Sequence, residues 1–261
     1  MMPKGYWRFC GVVFCLCYAP LSFSNSLSHF LQQGNLFVGV GAGASWSDLP
    51  NHTTVPNGSG QPAPYDVDRY SIDQPSANAM WALDIGYRWI QPTRFLPRYS
   101  LAFRYQHFNN IDVNGQIDQY SLPDFNNYNY SADINANTFM LLGKFNLFEC
   151  HSFSPFVSVG IGETLNETSN YKEQALSGIT ARVSPDYETN TVSNFTYSVG
   201  AGIDYIINQS FSMSLEYEYI DLGQAKMGHG AADSGWSGQS LTLGTLTSNV
   251  LMLGVSYQIP S

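Results

Sequence analysis

At 261 residues, with 12% charged and 15% aromatic residues, the chain is long enough for one large domain and poor in charge. A formal net charge of −9 excludes a nucleic-acid partner gripped through its phosphates. Mean hydropathy of −0.15 excludes a bundle of membrane helices. Beyond the N-terminus no apolar run approaches the ~18 residues that one such helix needs.

Lys4 and Arg8 precede an apolar run from Phe9 to Pro20, and small residues follow at Ser22 and Ser24. This is the pattern of a secretory signal peptide over residues 1–24, with Sec-type cleavage near Ser24. A lipoprotein signal is the competing reading, but Cys15 and Cys17 follow bulky Phe14 and Leu16 rather than small residues. Without the leader only Cys150 remains, so the mature fold stands without an internal disulfide. Residues 25–34 form a short N-terminal segment with no clear period, and residues 35–261 are expected to be a single β-barrel domain.

From Asn35 onward apolar and small or polar residues alternate, the period-two signature of β-strands. In Asn35–Trp46, Leu36, Val38, Val40 and Trp46 point one way, and Phe37, three glycines and Ser45 point the other. In Ala77–Trp89, Trp81, Leu83, Ile85, Tyr87 and Trp89 oppose Ala82, Asp84, Gly86 and Arg88. Tyr99–Phe108 sets Tyr99, Leu101, Phe103 and Tyr105 against Ser100, Ala102, Arg104 and Gln106. Ile134–Phe148 has the weakest period, with Phe139, Leu141 and Phe145 outward, Lys144 and Asn146 inward, and Met140 and Leu142 on the inner side.

Pro155–Leu165 points Val157, Val159 and Ile161 outward, and Glu163 is expected near the lumen mouth, where a bulge or the membrane edge lies. The clearest pair is Phe195–Tyr205 and Phe211–Leu222, joined by Ile207-Asn208-Gln209-Ser210, the length of a hairpin turn. Asn249–Ile259 closes the set. Connections alternate in length: residues 47–76, 109–133, 166–193 and 223–248 are long and polar, whereas 90–98, 149–154 and 207–210 are short.

Eight strands with long loops at one end and tight turns at the other predict an all-β fold, an antiparallel up-and-down transmembrane β-barrel with an apolar outer face and a polar lumen. Outward aromatics then fall in two girdles. Trp46, Trp81, Tyr105, Phe139, Tyr197 and Tyr219 lie at the loop end, and Trp89, Tyr99, Phe145, Tyr205, Phe211 and Tyr257 at the turn end.

The stretches LFVGVGAGASW, SPFVSVGIG, FTYSVGAGIDY, SLEYEYIDLG and LMLGVSYQI resemble the eight-stranded outer-membrane proteins of Gram-negative bacteria. These comprise the OmpA transmembrane domain, the opacity-type surface antigens, and the Ail/OmpX and OmpW groups. The resemblance spans about Asn35 to Ile259 and implies location in the cell outer membrane, in contact with its lipid and lipopolysaccharide. It departs at the end, Ile259-Pro260-Ser261, where such barrels usually carry an aromatic residue; Tyr257 stands in that role. No wall-anchoring domain is expected after the barrel.

The inward charges Asp84, Arg88, Arg104, Lys144, Asp204, Glu216 and Glu218 are expected to form a salt-bridge network, since buried charges persist only when paired or hydrated. An ion or proton path is the functional alternative for them. Among the histidines, only His107 with Glu218 near the rim merits attention as a catalytic pair, and no metal-ligand spacing or cofactor motif occurs. The long loops carry Tyr65, Tyr70, Tyr120, Phe125, Tyr128, Tyr130 and Trp236, residues suited to anchor a partner or to pack the loops together. The expected function is a monomeric surface protein in adhesion, host or matrix contact, or envelope integrity. A narrow channel is the alternative, and a lipid-modifying enzyme a more distant one.

Overall fold

The computed structural model describes residues 34–232 and 234–260. The signal peptide and nearly all of the short N-terminal segment lie outside the described residues. Ten strands form one antiparallel sheet: β1 (Asn35–Asp48), β2 (His52–Pro56), β3 (Val67–Ser71), β4 (Asn78–Ile90), β5 (Arg98–Asp118), β6 (Asn126–Asn146), β7 (Phe153–Ala175), β8 (Asn190–Ile206), β9 (Phe211–His229) and β10 (Ser240–Gln258). Each long strand pairs with its sequence neighbour, β10 returns to β1, and β5 pairs with β6. Eight strands, β1 and β4–β10, thus close into an up-and-down barrel.

In the lower half the expected inside–outside assignment holds. Val40, Leu83, Phe103, Leu141, Val159, Val199, Leu215 and Leu253 are exposed on the outer wall. Phe37, Arg104, Ser158, Ser198 and Glu216 are buried inside. The tight turns are residues 91–97, 147–152 and 207–210. In the last of these the Asn208 side chain accepts the backbone N–H groups of Ser210 and Phe211, both at 2.8 Å.

The upper half corrects the sequence reading. Residues 109–133, 166–193 and 223–248 are not mainly loops. β5, β6 and β7 run far beyond the apolar belt, and β9 and β10 continue to His229 and from Ser240. A hairpin of β2 and β3, absent from the sequence reading, completes this outer wall. β3 pairs with the top of β5 (Tyr70 opposite Ile117), and β2 lies beside β10, where β1 and β4 have already ended.

In this outer tier the polarity is reversed. Ile111, Val113, Ile117, Ile134, Leu222, Met227, Leu241 and Leu243 point inward with no exposed surface. Asp112, Asn114, Gln116 and Asn129 point out. Water surrounds this half, so the apolar side must turn to the axis, as in a soluble barrel. β5 makes the change with an irregularity between Phe108 and Ile111, where Asn110 takes φ 25°. In β10, Gly244 (φ 101°) sits at a comparable break; a side chain there would be strained and would meet the Pro50 ring.

β6 keeps one unbroken in–out alternation of side chains from Tyr128 through Asn146, although its pairing with β7 shifts between Ser131 and Asp133, and only the chemistry of each side changes. β7 likewise runs through Glu163 without a bulge, pairing it with Phe139 and burying Thr164, Asn166 and Thr168. Glu163 therefore faces outward at the upper edge of the apolar belt, not into the lumen mouth. Its carboxylate accepts the Ser193 hydroxyl.

Candidate functional site

The lower lumen is filled by a charged network. Arg104, on β5, lies beside Asp84 on β4, donating Nε to Oδ1 at 2.8 Å and Nη2 to Oδ2 at 3.0 Å. The same guanidinium reaches Glu216 at 3.1 Å and Glu218 at 3.7 Å across the barrel on β9. Glu216 also accepts the Ser158 hydroxyl at 2.7 Å, and Glu218 accepts the Gln106 amide at 2.7 Å. Nearer the turns, Lys144 and Asn146 both bond the Asp204 carboxylate, at 2.6 and 2.8 Å. Arg88 donates to Ser256 at 3.0 Å and lies 4.6 Å from the Phe37 ring centroid. All seven sequence-identified charges face the lumen, four carboxylates and three bases once Glu163 is removed from the set. They form two ion-paired groups, Arg104 with Asp84, Glu216 and Glu218, and Lys144 with Asp204, while Arg88 bonds serines instead.

Small residues on facing strands let the long side chains cross. A Cβ at Gly41 would come within 2.6 Å of the Met252 sulfur. The space left among Asp84, Arg88, Arg104, Lys144 and Asp204 is about 30 Å³, room for about two waters.

The outward aromatics lie in two bands. Tyr105 touches both Trp81 and Phe139, with centroids 5.2 Å apart for Trp81–Tyr105 and 5.1 Å for Tyr105–Phe139. Trp46, Tyr197 and Tyr219 occupy the same upper stretch of the outer wall on β1, β8 and β9. Near the turns Trp89, on the outer side by register but only 5% exposed, stacks on Tyr99 at 5.3 Å, Phe145 pairs with Tyr99, and Phe211 contacts Tyr257 at 4.8 Å. Tyr205 meets Phe153 at 5.1 Å, an aromatic partner the sequence reading left out because it began that strand two residues later.

His107 and Glu218 are not brought together. His107 faces outward, its ring nitrogen 2.8 Å from Asn137 and its ring beside Trp81, whereas Glu218 is buried on the lumen side. They stand on opposite faces of the wall.

The loop aromatics divide into two groups. Tyr70, Tyr128, Tyr130 and Trp236 are buried and pack the outer tier, joined there by Tyr171 and Tyr187. At their centre sits Arg182, from the 176–189 connection. It bonds Glu173 at 2.7 Å and Asp68 at 2.6 Å, with its guanidinium 4.8 Å from the Tyr128 ring and 4.5 Å from the Trp236 ring. One side chain thereby ties together segments from all four long connections: Asp68 from the first, Tyr128 beside the second, its own third, and Trp236 from the fourth. Burial works against the Arg182 charge, but the hydrogen bonds and charge of Glu173, together with Tyr70 and Asp68, outweigh it and hold the guanidinium pKa above its ordinary value. Burial also pushes the Tyr70 phenol up to about 12 and raises Tyr130, Tyr171 and Tyr187.

Tyr65, Tyr120 and Phe125 stay near the surface and line one crevice of about 460 Å³ with Ser59, Gln61 and Leu122. Arg182 and this crevice escaped sequence reasoning. A lone arginine in a polar stretch carries no periodic signal, and the crevice forms only when two connections meet.

A closed barrel whose lower outer wall is apolar and banded by aromatics, with a charged network held inside, defines an outer-membrane β-barrel. Residues 19–258 match the outer membrane protein beta-barrel domain family, and the chain belongs to it. It is a protein of the Gram-negative outer membrane. Similarity extends to the outer membrane protein PagN of Salmonella typhimurium, 25% identical over 175 residues, covering 66% of this chain and 70% of PagN. Among solved structures, the chain resembles neisserial surface protein A at 10% identity and a TM-score of 0.45, covering 86% of this chain and 97% of that one. It also resembles Ail, the attachment invasion locus protein of Yersinia pestis, bound to the heparin analogue sucrose octasulfate. That match has 12% identity and a TM-score of 0.39, covering 87% of this chain and 99% of Ail.

Proposed function

We propose that this is a monomeric, non-enzymatic surface protein that makes contact with host cells or matrix through its water-facing tier. The single observation carrying this reading is the construction of that tier. A rigid, apolar-cored extension clamped by Arg182 rises from the membrane, while the lumen beneath it is occupied by cross-linked side chains. A membrane anchor alone needs no such extension. Rigid scaffolds that hold out preassembled connections commonly serve recognition.

The narrow-channel reading is disfavoured by the same features. Arg104 is locked to three carboxylates across the bore, and the cavity beside it holds little water. A polyanion such as the one bound to Ail does not suit this chain, whose exposed upper residues include Asp48, Asp66, Asp112, Asp124 and Glu167. The upper aromatic band, with Glu163 beside it at the edge of the apolar belt, supports an outer tier standing in water above the membrane, within reach of a second cell.

The test is adherence. Cells displaying the intact protein should attach to epithelial monolayers. Cells displaying a variant with residues 57–66 and 176–189 replaced by short Gly-Ser links should not. Equal attachment would sink the reading. In planar bilayers the purified protein should give no steady ion-selective openings; regular openings would restore the channel.

A further inference from the structure

We propose that the crevice between residues 57–66 and 119–125 receives an arginine side chain from a basic partner protein, an inference resting on the surface-contact reading above. Three aromatic residues line it. Tyr65 and Phe125 are exposed at 42% and 44%, and the Tyr120 and Phe125 rings meet edge to face at 6.0 Å. Large aromatics left at the surface above a core that buries Tyr70, Tyr128 and Tyr130 call for a reason other than packing.

Their positions are set in advance. Tyr120 and Ser121 both adopt left-handed backbone at φ 56°, which costs energy for residues with side chains and persists only when the surroundings enforce it. Here the enforcing group is Asp68, 1% exposed, whose Oδ1 accepts the Tyr120 N–H at 3.0 Å. Ser121 donates to the Val67 carbonyl at 3.1 Å. Asn57 ties the opposite wall to the same carboxylate at 3.0 Å and to the Tyr65 carbonyl at 3.1 Å. Asp68 is in turn held by Arg182. Both walls therefore hang on one buried ion pair, and little ordering entropy remains to be lost on binding.

Charge selects the occupant. Asp66 and Asp124, exposed, follow Tyr65 and precede Phe125 in the chain; Arg69 lies on β3 opposite Asp118. Aromatic faces attract a planar cation, which stacks on the rings, and the exposed Asp66 and Asp124, next in the chain to two of these aromatics, favour a positively charged partner. Ser59 and Gln61, which also line the crevice, add hydrogen-bonding groups. A sulfated or phosphorylated ligand would meet repulsion at the same place.

The full chain in uncharged detergent would be titrated with acetyl-Arg-Gly-Arg-Gly-amide, its citrulline counterpart of equal shape and no charge, and sucrose octasulfate. The arginine peptide should bind at least about tenfold more tightly than the citrulline peptide. The double variant Tyr65→Ala/Phe125→Ala, which keeps every carboxylate, should lose a similar factor, and Gln174→Ala on the outer wall should change nothing. Heat-modifiable migration on gels would establish that the variants are folded. Equal binding of the two peptides, wild-type binding by the double variant, no arginine-peptide binding, or preference for the polyanion would each overturn the proposal. Attachment assays separate the two claims. If the double variant still attaches like wild type, the crevice assignment falls and surface contact stands. If the trimmed variant of the preceding section attaches too, surface contact itself falls.

Discussion

Arg104 shows how one side chain can be both costly and indispensable. Its guanidinium leaves water entirely, and three carboxylates compensate it. Arg104→Ala would strand Asp84, Glu216 and Glu218 inside the barrel with no base between them. It should lower the urea midpoint of the folded protein in liposomes by the equivalent of about 3–5 kcal/mol. A change below about 1 kcal/mol would mean that water already screens the network. Arg182 plays the matching part above the membrane, where its side chain pairs with two carboxylates, each 2% exposed. Arg182→Met keeps bulk against Tyr128 and Trp236 and removes the charge. The connections 57–66, 176–189 and 230–239 should then become sensitive to protease while the membrane half stays resistant. Unchanged protection would show that apolar packing alone holds the tier.

Along a single strand, the two solvents of the outer membrane environment can be read side by side. In β6, Asn129, Ser131 and Asp133 point outward above the belt, and Phe139, Leu141 and Phe145 point outward within it, with no change in the alternation. An arginine should therefore be judged by height as well as by face. Val199→Arg, on the outer face within the belt, should impair assembly by ~2–4 kcal/mol, read as the folded fraction after refolding into lipid. Asn129→Arg, outward but above it, should leave that fraction unchanged. Equal effects would contradict the placement of the membrane edge. β8 and β9 show the limit of the ladder, since their pairing stops at Tyr197 opposite Asp221. Above this point Asn166, Thr168, Asn190 and Asn194 reach the carbonyls of Leu222, Gln224 and Lys226, substituting side-chain bonds for backbone ones.

The whole molecule is two barrels end to end, one stabilised by lipid outside and ion pairs inside, the other by water outside and an apolar core. They should respond differently to alkali. Burial raises the Tyr70 phenol from 10.0 to about 12 and lifts its three tyrosine neighbours as well, so the folded tier favours the neutral phenols. That contribution is complete below about pH 10 and fades as pH rises toward and past 12. Ultraviolet tyrosinate absorbance should show these groups ionising late, together with loss of protease resistance in the outer tier and retention of the membrane half. Early ionisation of all tyrosines would contradict their burial.

The membrane half was legible from residues alone. Hydrocarbon on one side and a narrow lumen on the other force a strict alternation, and FTYSVGAGIDY and FSMSLEYEYI display it without tertiary help. The outer tier obeys the same period with its polarity exchanged, as in NYNYSAD. A reading that sought apolar residues on the lipid side therefore took this stretch for loop. Bulges at Asn110 and Gly244 hid the pattern further by moving the apolar set to the other parity. Which charges touch, how the β2–β3 hairpin completes the wall, and how Arg182 and the crevice arise depend on residues far apart in the chain. Period and composition are local quantities, whereas those contacts exist only once the barrel has closed.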